Sequence, residues 1–159
     1  MKKIIVGGII ALLILGIWLF AGNDAEDVTG NSVMDLSGQK ITVYKTGTCG
    51  CCGLYVDYLK RKDLDVEVID SGDINQVKNR FGVPAQLQSC HTTQIGDYFV
   101  EGHIPIEAIS KLMAEKPDLV GIALPGMPSG APGMPGGKQG KFIIYGITKG
   151  GAYETFVEI

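Results

Sequence analysis

Three thiols fall within four residues, Cys49-Gly50-Cys51-Cys52, and the chain's one other cysteine is Cys90. Thiolates are the nucleophiles of disulfide chemistry and the preferred ligands of soft metal ions, so this is a reactive sulfur site. Two chemistries compete for it. Cys49 and Cys52 make a CxxC pair, the spacing of a thiol–disulfide redox motif. Cys51 is surplus to such a pair and could close onto Cys52 only as a strained vicinal disulfide. A soft ion, Cu(I) above all, would use all three sulfurs. A structural disulfide with a spare thiol suits this density poorly. Four-cysteine zinc fits the ligand number, but zinc sites usually draw on two separated C-x₂₋₄-C knuckles.

The flanking pattern says how these thiols are held. Residues 40–45 alternate apolar and polar as a half-buried strand does, and Leu54, Tyr55, Tyr58 and Leu59 share one face of a helix over about 52–62. The cysteines therefore open a helix N-terminus, where the dipole and free N–H groups favour thiolate. Residues 65–69 alternate again and complete a right-handed βαβ unit. Ser71-Gly72-Asp73 offers an N-cap for a helix through Phe81, stopped by Gly82 and Pro84. Strands over 91–95 and 98–103 flank the turn signal Gly96-Asp97, and Pro105 opens a helix over 106–116. This order predicts an α/β domain of thioredoxin-like type, a mixed sheet flanked by helices. A closing hairpin, 142–148 and 152–158, extends it.

Between the third helix and that hairpin lies a Gly/Pro/Met-rich loop, 121–140, in which Pro-Gly-Met-Pro occurs twice, carrying Met127 and Met134. Its Gly/Pro density argues against helix or central strand. Thioethers are soft ligands, so the loop reads as a lid over a Cu(I) site, or simply as gap-filling linker. Cys90-His91 precedes the third strand, where a thioredoxin-like fold normally has a cis-proline facing the CxxC loop. Cys90 there would add a fourth sulfur across the cleft. His91 and His103 are the chain's two histidines. His91, beside Cys90, reads as the better candidate ligand, and Asp97 and Glu101 read as solvated hairpin residues.

Lys2 and Lys3 precede an uncharged, apolar run from Ile4 to Gly22. Such a run meets the roughly 17–25 residues of a bilayer-spanning helix, and the lysines would stay cytoplasmic. Residues 1–22 are thus expected to be an uncleaved signal anchor, with a cleaved signal peptide as the alternative. Residues 23–38 read as a flexible tether and 39–159 as the exported domain. Seventeen acidic residues face 14 basic ones with no basic stripe, which argues against nucleic acid as a partner.

Several stretches together resemble the CopG-type periplasmic copper proteins, long catalogued only as a domain of unknown function. They are Thr48-Cys49-Gly50-Cys51-Cys52-Gly53, Ser89-Cys90-His91-Thr92, Glu101-Gly102-His103-Ile104-Pro105 and Gly121 to Pro128. The resemblance covers about residues 40 to 135. It implies a thioredoxin-like fold binding copper through Cys49, Cys51, Cys52 and Cys90, in a bacterial copper-resistance setting, with multinuclear Cu(I)–thiolate binding expected. His91 and Met127 would be secondary ligands. The first functional reading is an exported, membrane-tethered copper-binding protein that passes copper to a partner protein and need not catalyse a reaction. The second is a thiol–disulfide or copper oxidoreductase working through Cys49 and Cys52 with a redox partner.

Overall fold

The computed structural model describes residues 35–159, so the expected anchor over 1–22 and the tether up to residue 34 lie outside the described residues. Residues 35–38 do not run free. Leu36 is buried in the main core, and its carbonyl accepts from the Gln39 N–H to close a turn onto the first strand. Among the described residues no helix is long and apolar enough to cross a membrane.

The βαβ unit forms as its alternation predicts. β1 (Lys40–Lys45) buries Ile41 and Val43, α1 (Gly50–Lys60) buries Tyr55, Val56 and Leu59, and β2 (Asp65–Asp70) lies parallel to β1 with Ile41 opposite Val66. α2 (Ile74–Phe81) starts at Asp73, whose carboxylate accepts from the Asn75 and Gln76 N–H groups, and ends at left-handed Gly82. The start and stop signals both act as their chemistry requires. A short 3₁₀ turn, Ala85–Leu87, then leads to β3 (Thr92–Ile95) and β4 (Tyr98–Glu101), paired across the Gly96-Asp97 turn. α3 (Ile106–Glu115) follows Pro105.

The Gly/Pro-rich segment is not loop throughout. Its first three residues form β5 (Gly121–Ala123), a central strand parallel to β4 and antiparallel to β6 (Ile143–Ile147), which pairs in turn with β7 (Tyr153–Glu158). The loop reading of 121–123 is corrected here, because the prolines begin only at Pro125 and the glycine serves the strand. A Cβ on Gly121 would lie 2.4 Å from the Phe99 carbonyl oxygen, so only glycine lets β5 approach β4 this closely.

The result is a mixed, seven-stranded α/β sheet in the order β2-β1-β3-β4-β5-β6-β7. Side chains alternate between its faces. Val100, Ile122 and Ile144 join the main core with α1 and α3, while Phe99, Ala123 and Ile147 pack with Val83 and Leu87 on a second cluster.

An ion pair is buried within this frame. Glu101, at the end of β4, is fully buried and pairs with Lys78 of α2 at 2.5 Å, where the sequence pattern suggested a solvated hairpin residue. Its other oxygen accepts from the Thr92 hydroxyl at 2.6 Å, and the Ser89 backbone N–H donates to the Lys78-paired oxygen at 2.6 Å. A carboxylate so placed must be paired, because burial of an isolated charge is prohibitive. Lys78→Met should therefore cost about 3–5 kcal/mol in urea unfolding. The double variant Lys78→Met/Glu101→Leu should lose markedly less than the sum of the two single losses, and additive losses would contradict the coupling.

Candidate metal centre

Cys49 is the N-cap of α1, with extended backbone and no side-chain cap bond, and no acidic residue occupies the first turn. The helix begins at Gly50, slightly earlier than its apolar pattern suggests, so Cys51 and Cys52 lie inside its first turn. Residues three apart are neighbours there. Cys49 and Cys52 are joined in a disulfide with their Cα atoms 5.3 Å apart, while Cys51 and Cys90 are free thiols. Cys51 Sγ lies 3.6 Å from Cys49 Sγ.

Cys90 arrives from the segment between the 3₁₀ turn and β3. The Glu101 network holds both sides of it, through the Ser89 N–H and the Thr92 hydroxyl. All four sulfurs thereby fall within 4.8 Å of one another, the convergence expected from the sequence. Burial, the neighbouring Cys51 charge and a hydrogen bond with Cys51 push the Cys90 thiol up to about 11. Cys90 is thus a protonated thiol in the neutral range, and it would have to lose that proton to ligate a metal.

Two imidazoles close the other side of Cys90. Its Sγ lies 3.3 Å from His91 Nδ1 and 3.0 Å from His103 Nε2. His103 Nδ1 lies 2.7 Å from the Pro132 carbonyl, which can only accept, so Nδ1 carries the proton. Burial lowers the pKa of His103. In the neutral ring Nε2 therefore keeps a lone pair aimed at Cys90. His91 is fully buried, and burial, with His103 and Lys78 nearby, holds it neutral far below its ordinary range. No hydrogen bond of normal geometry reaches its Nε2, although the Gly102 backbone lies close enough to oppose the shift. Tyr55 packs against both rings, 4.5 Å from His91 and 5.5 Å from His103, and donates its hydroxyl to the Ile104 carbonyl at 2.9 Å.

The Gly/Pro/Met loop touches this centre through its second repeat. Pro132 supplies the carbonyl to His103, and a Cβ on Gly133 would lie 2.7 Å from the Tyr55 nitrogen and 3.0 Å from the Cys51 carbonyl. Met134 is half-buried against the core, whereas Met127, the methionine singled out from the first repeat, is 42% exposed at a left-handed φ of 47°. His103 and Tyr55 are the residues that sequence reasoning undervalued. The hairpin register held the signal for the first. Pairing Thr92 with Glu101 sets His91 beside Gly102, whose N–H donates to its carbonyl at 3.0 Å, and so places His103 at the same strand end.

A family described as "Protein of unknown function, DUF411" matches residues 87–134, the stretch that holds Cys90, both histidines and the second loop repeat as far as Met134. No curated protein matches. Two solved structures of copper resistance protein CopG do. Form 2 is 40% identical with a TM-score of 0.71, covering 76% of this chain and 98% of that one. Form 1 is also 40% identical, with a TM-score of 0.70, covering 76% and 96%. Identity at this level over nearly the whole length of those chains, with the cysteine cluster inside the shared fold, makes this chain a member of the CopG copper resistance family.

Proposed function

We propose that this protein binds copper as Cu(I) through Cys49, Cys51, Cys52 and Cys90 and serves copper resistance outside the cytoplasm. The carrying observation is the convergence of all four sulfurs within 4.8 Å, two elements apart in the chain, at a helix N-terminus. Four soft donors in one partly buried cluster match Cu(I) and leave little for harder ions. Sulfurs this close could bridge several ions, in keeping with a multinuclear site. His91 and Met127 remain candidate secondary ligands, Met127 from an exposed turn. The scaffold is read as thioredoxin-like, supported by parallel β1–β2, antiparallel β1–β3 and the β3–β4 hairpin in one sheet. The apolar run 4–22 would export the domain and anchor it in the inner membrane, facing the periplasm.

An oxidoreductase reading keeps one specific support: the Cys49–Cys52 disulfide beside free Cys51, 3.6 Å from Cys49 Sγ. In that reading the pair cycles between dithiol and disulfide with a redox partner. The two readings part at Cys51, which a disulfide enzyme can spare and a metal site cannot.

Anaerobic titration of the reduced domain with Cu(I) against a competing chelator should give tight binding. Cys51→Ser and Cys90→Ser should each weaken it by at least about tenfold, the scale set by losing even an outer partner of a metal ligand. Cys51→Ser should leave thiol–disulfide exchange intact, and undiminished copper affinity in that variant would remove it from the ligand set.

Because Cys90 titrates near 11 when free, bound metal must displace its proton across the neutral range. Affinity should therefore rise with pH by about one log unit per pH unit for each thiol proton released, and fall on acidification. A flat profile between pH 6 and about 8 would mean that no thiol proton is displaced.

The second loop repeat should govern how fast copper leaves. Gly133→Ala adds a Cβ into the α1 backbone and lifts this segment from Cys51 and Tyr55. Stopped-flow transfer of Cu(I) to a chelator should be several-fold faster in this variant, whereas an unchanged rate would show that the loop does not limit exit.

A further inference from the structure

The sheet ends on one side at β7, which pairs with β6 and, among the described residues, with no other strand. Edge strands are templates for pairing, and proteins usually guard them with lysine, proline, a bulge or a covering element. β7 contains neither lysine nor proline, and Tyr153, Glu154 and Thr155 are exposed. Its bulge comes after them, at Phe156, which has no opposite residue on β6. At the far edge, β2, the carboxylates of Glu67 and Asp70 are held by Lys40 and Lys45. Glu154 on β7 has no such partner among the described residues.

A groove of about 360 Å³ runs beside this strand, between the residues that end and follow α3 and the β6–β7 hairpin. Pro117, Leu119 and Phe156 give it apolar surface, and Glu115, Asp118 and Glu154 give it carboxylates. No lysine or arginine stands in its wall. Asp118, like Glu154, has no ion-pair partner among the described residues. Glu115 pairs with Lys111, whose ammonium also lies 5.4 Å from the centre of the Phe156 ring. The chain's own lysine thus shows what this wall accepts, a cation set against an aromatic face and a carboxylate.

We propose that β7 and this groove dock an extended basic segment of a partner protein, which adds a strand to the sheet edge and lays a lysine or arginine in the groove. In strand addition the main-chain hydrogen bonds supply affinity, and pockets for alternate side chains supply selectivity. A lysine or arginine stem packs along apolar surface while its charged head stays among carboxylates. Successive residues of the added strand face opposite sides of the sheet. One set meets the groove. The other meets the face on which Tyr153, 43% exposed, stands edge-on to Tyr145 at 5.7 Å. The segment that fits alternates basic and apolar residues.

Charge decides against two nearer occupants. A second copy would offer the same strand, which has two glutamates and no basic residue. The chain's own residues 23–34 carry Asp24, Glu26 and Asp27 and no lysine or arginine. Strand direction separates the groove from the cysteines. Followed through the pairings, β7 runs the same way as β1. The cysteine turn follows the end of β1, whereas Glu154 stands near the start of β7 and Thr148 just past the end of β6. A docked segment therefore leaves the cysteines open, and the proposal does not depend on the copper reading.

The test is fluorescence anisotropy of the full chain, in non-ionic detergent, with a labelled peptide of alternating lysine and valine. Saturable binding is expected, weakened about three- to tenfold in Asp118→Asn/Glu154→Gln, the scale of two exposed charge pairs. N-methylation along the peptide backbone should abolish it, and Cys90→Ser should leave it unchanged. Circular dichroism checks each variant's fold. Equal binding by the double variant, by a peptide with glutamate for lysine, or by the N-methylated peptide would overturn the proposal. Binding that needs Cys90 would place the peptide at the cysteine turn and overturn it too. Self-association of the chain in sedimentation, lost in Thr155→Pro, would give the edge to a second copy instead. No peptide binding by a chain that still takes up Cu(I) would overturn this proposal and leave the copper reading standing.

Discussion

The buried pair between Lys78 and Glu101 fixes more of this molecule than any other single contact. Two opposite charges at 2.5 Å at the end of the central strand β4 are costly to desolvate, and such a pair persists only when its remaining hydrogen-bonding capacity is met. Here it is met by the Thr92 hydroxyl, which reaches both Lys78 and Glu101, and by the Ser89 N–H. One carboxylate thereby ties together α2, the start of β3, the end of β4 and the irregular segment between them. Cys90 sits in that segment, flanked by Ser89 and Thr92. The fourth sulfur is therefore positioned by an ion pair on the protein side rather than by a metal, and its place is set before any ion arrives. Preorganisation of this kind spares the binding step the ordering of a loop.

The same ammonium has an electrostatic consequence one residue away. Lys78 and His103 both oppose protonation of His91, and burial opposes it more strongly still. A neutral ring is the form that can serve as a ligand or hydrogen-bond relay. From His91 through Cys90 and His103 to the Pro132 carbonyl, each contact is 3.3 Å or shorter. The sulfur thus lies at the joint between two environments. Toward α1 it meets other sulfurs and the positive end of a helix dipole, and toward β4 it meets two uncharged imidazoles backed by Tyr55.

Much of this was legible from residue order. β1, β2 and the helix faces followed from alternation, α2 from Asp73 and Gly82, and the β3–β4 hairpin from Gly96-Asp97, because these signals act over a few residues. The convergence of Cys90 on the CxCC turn followed from that topology. What was misread depends on partners far along the chain. Glu101 looks solvated in a hairpin until Lys78, 23 residues earlier, is seen to reach it. β5 was hidden because Gly121 belongs to a glycine-rich stretch by composition but to a strand by its contact with Phe99. His91 outranked His103 by adjacency to Cys90, a one-dimensional criterion, whereas the strand register makes the two equivalent neighbours of one sulfur. Of the two methionine repeats, nothing local distinguishes them. Only the packing of Gly133 against Cys51 and Tyr55 singles out the second.

The CxCC spacing itself explains why metal and redox readings resist separation. In the first turn of a helix, positions three apart face each other, so Cys49 and Cys52 can equally close a bond or clasp an ion. A plain CxxC pair must choose, because forming the disulfide removes both donors. Cys51 and Cys90 alter that choice. They remain thiols while the pair is bonded, and each lies within 4.8 Å of the bonded sulfurs. An incoming thiolate attacks a disulfide most readily from such short range, and its rate follows its thiolate fraction. With Cys90 held protonated by burial and by its neighbour, direct attack by this sulfur is suppressed at neutral pH, and so is scrambling of the pair. The burial that makes Cys90 a reluctant nucleophile leaves it a competent ligand, since a metal supplies the positive charge that the thiolate otherwise lacks.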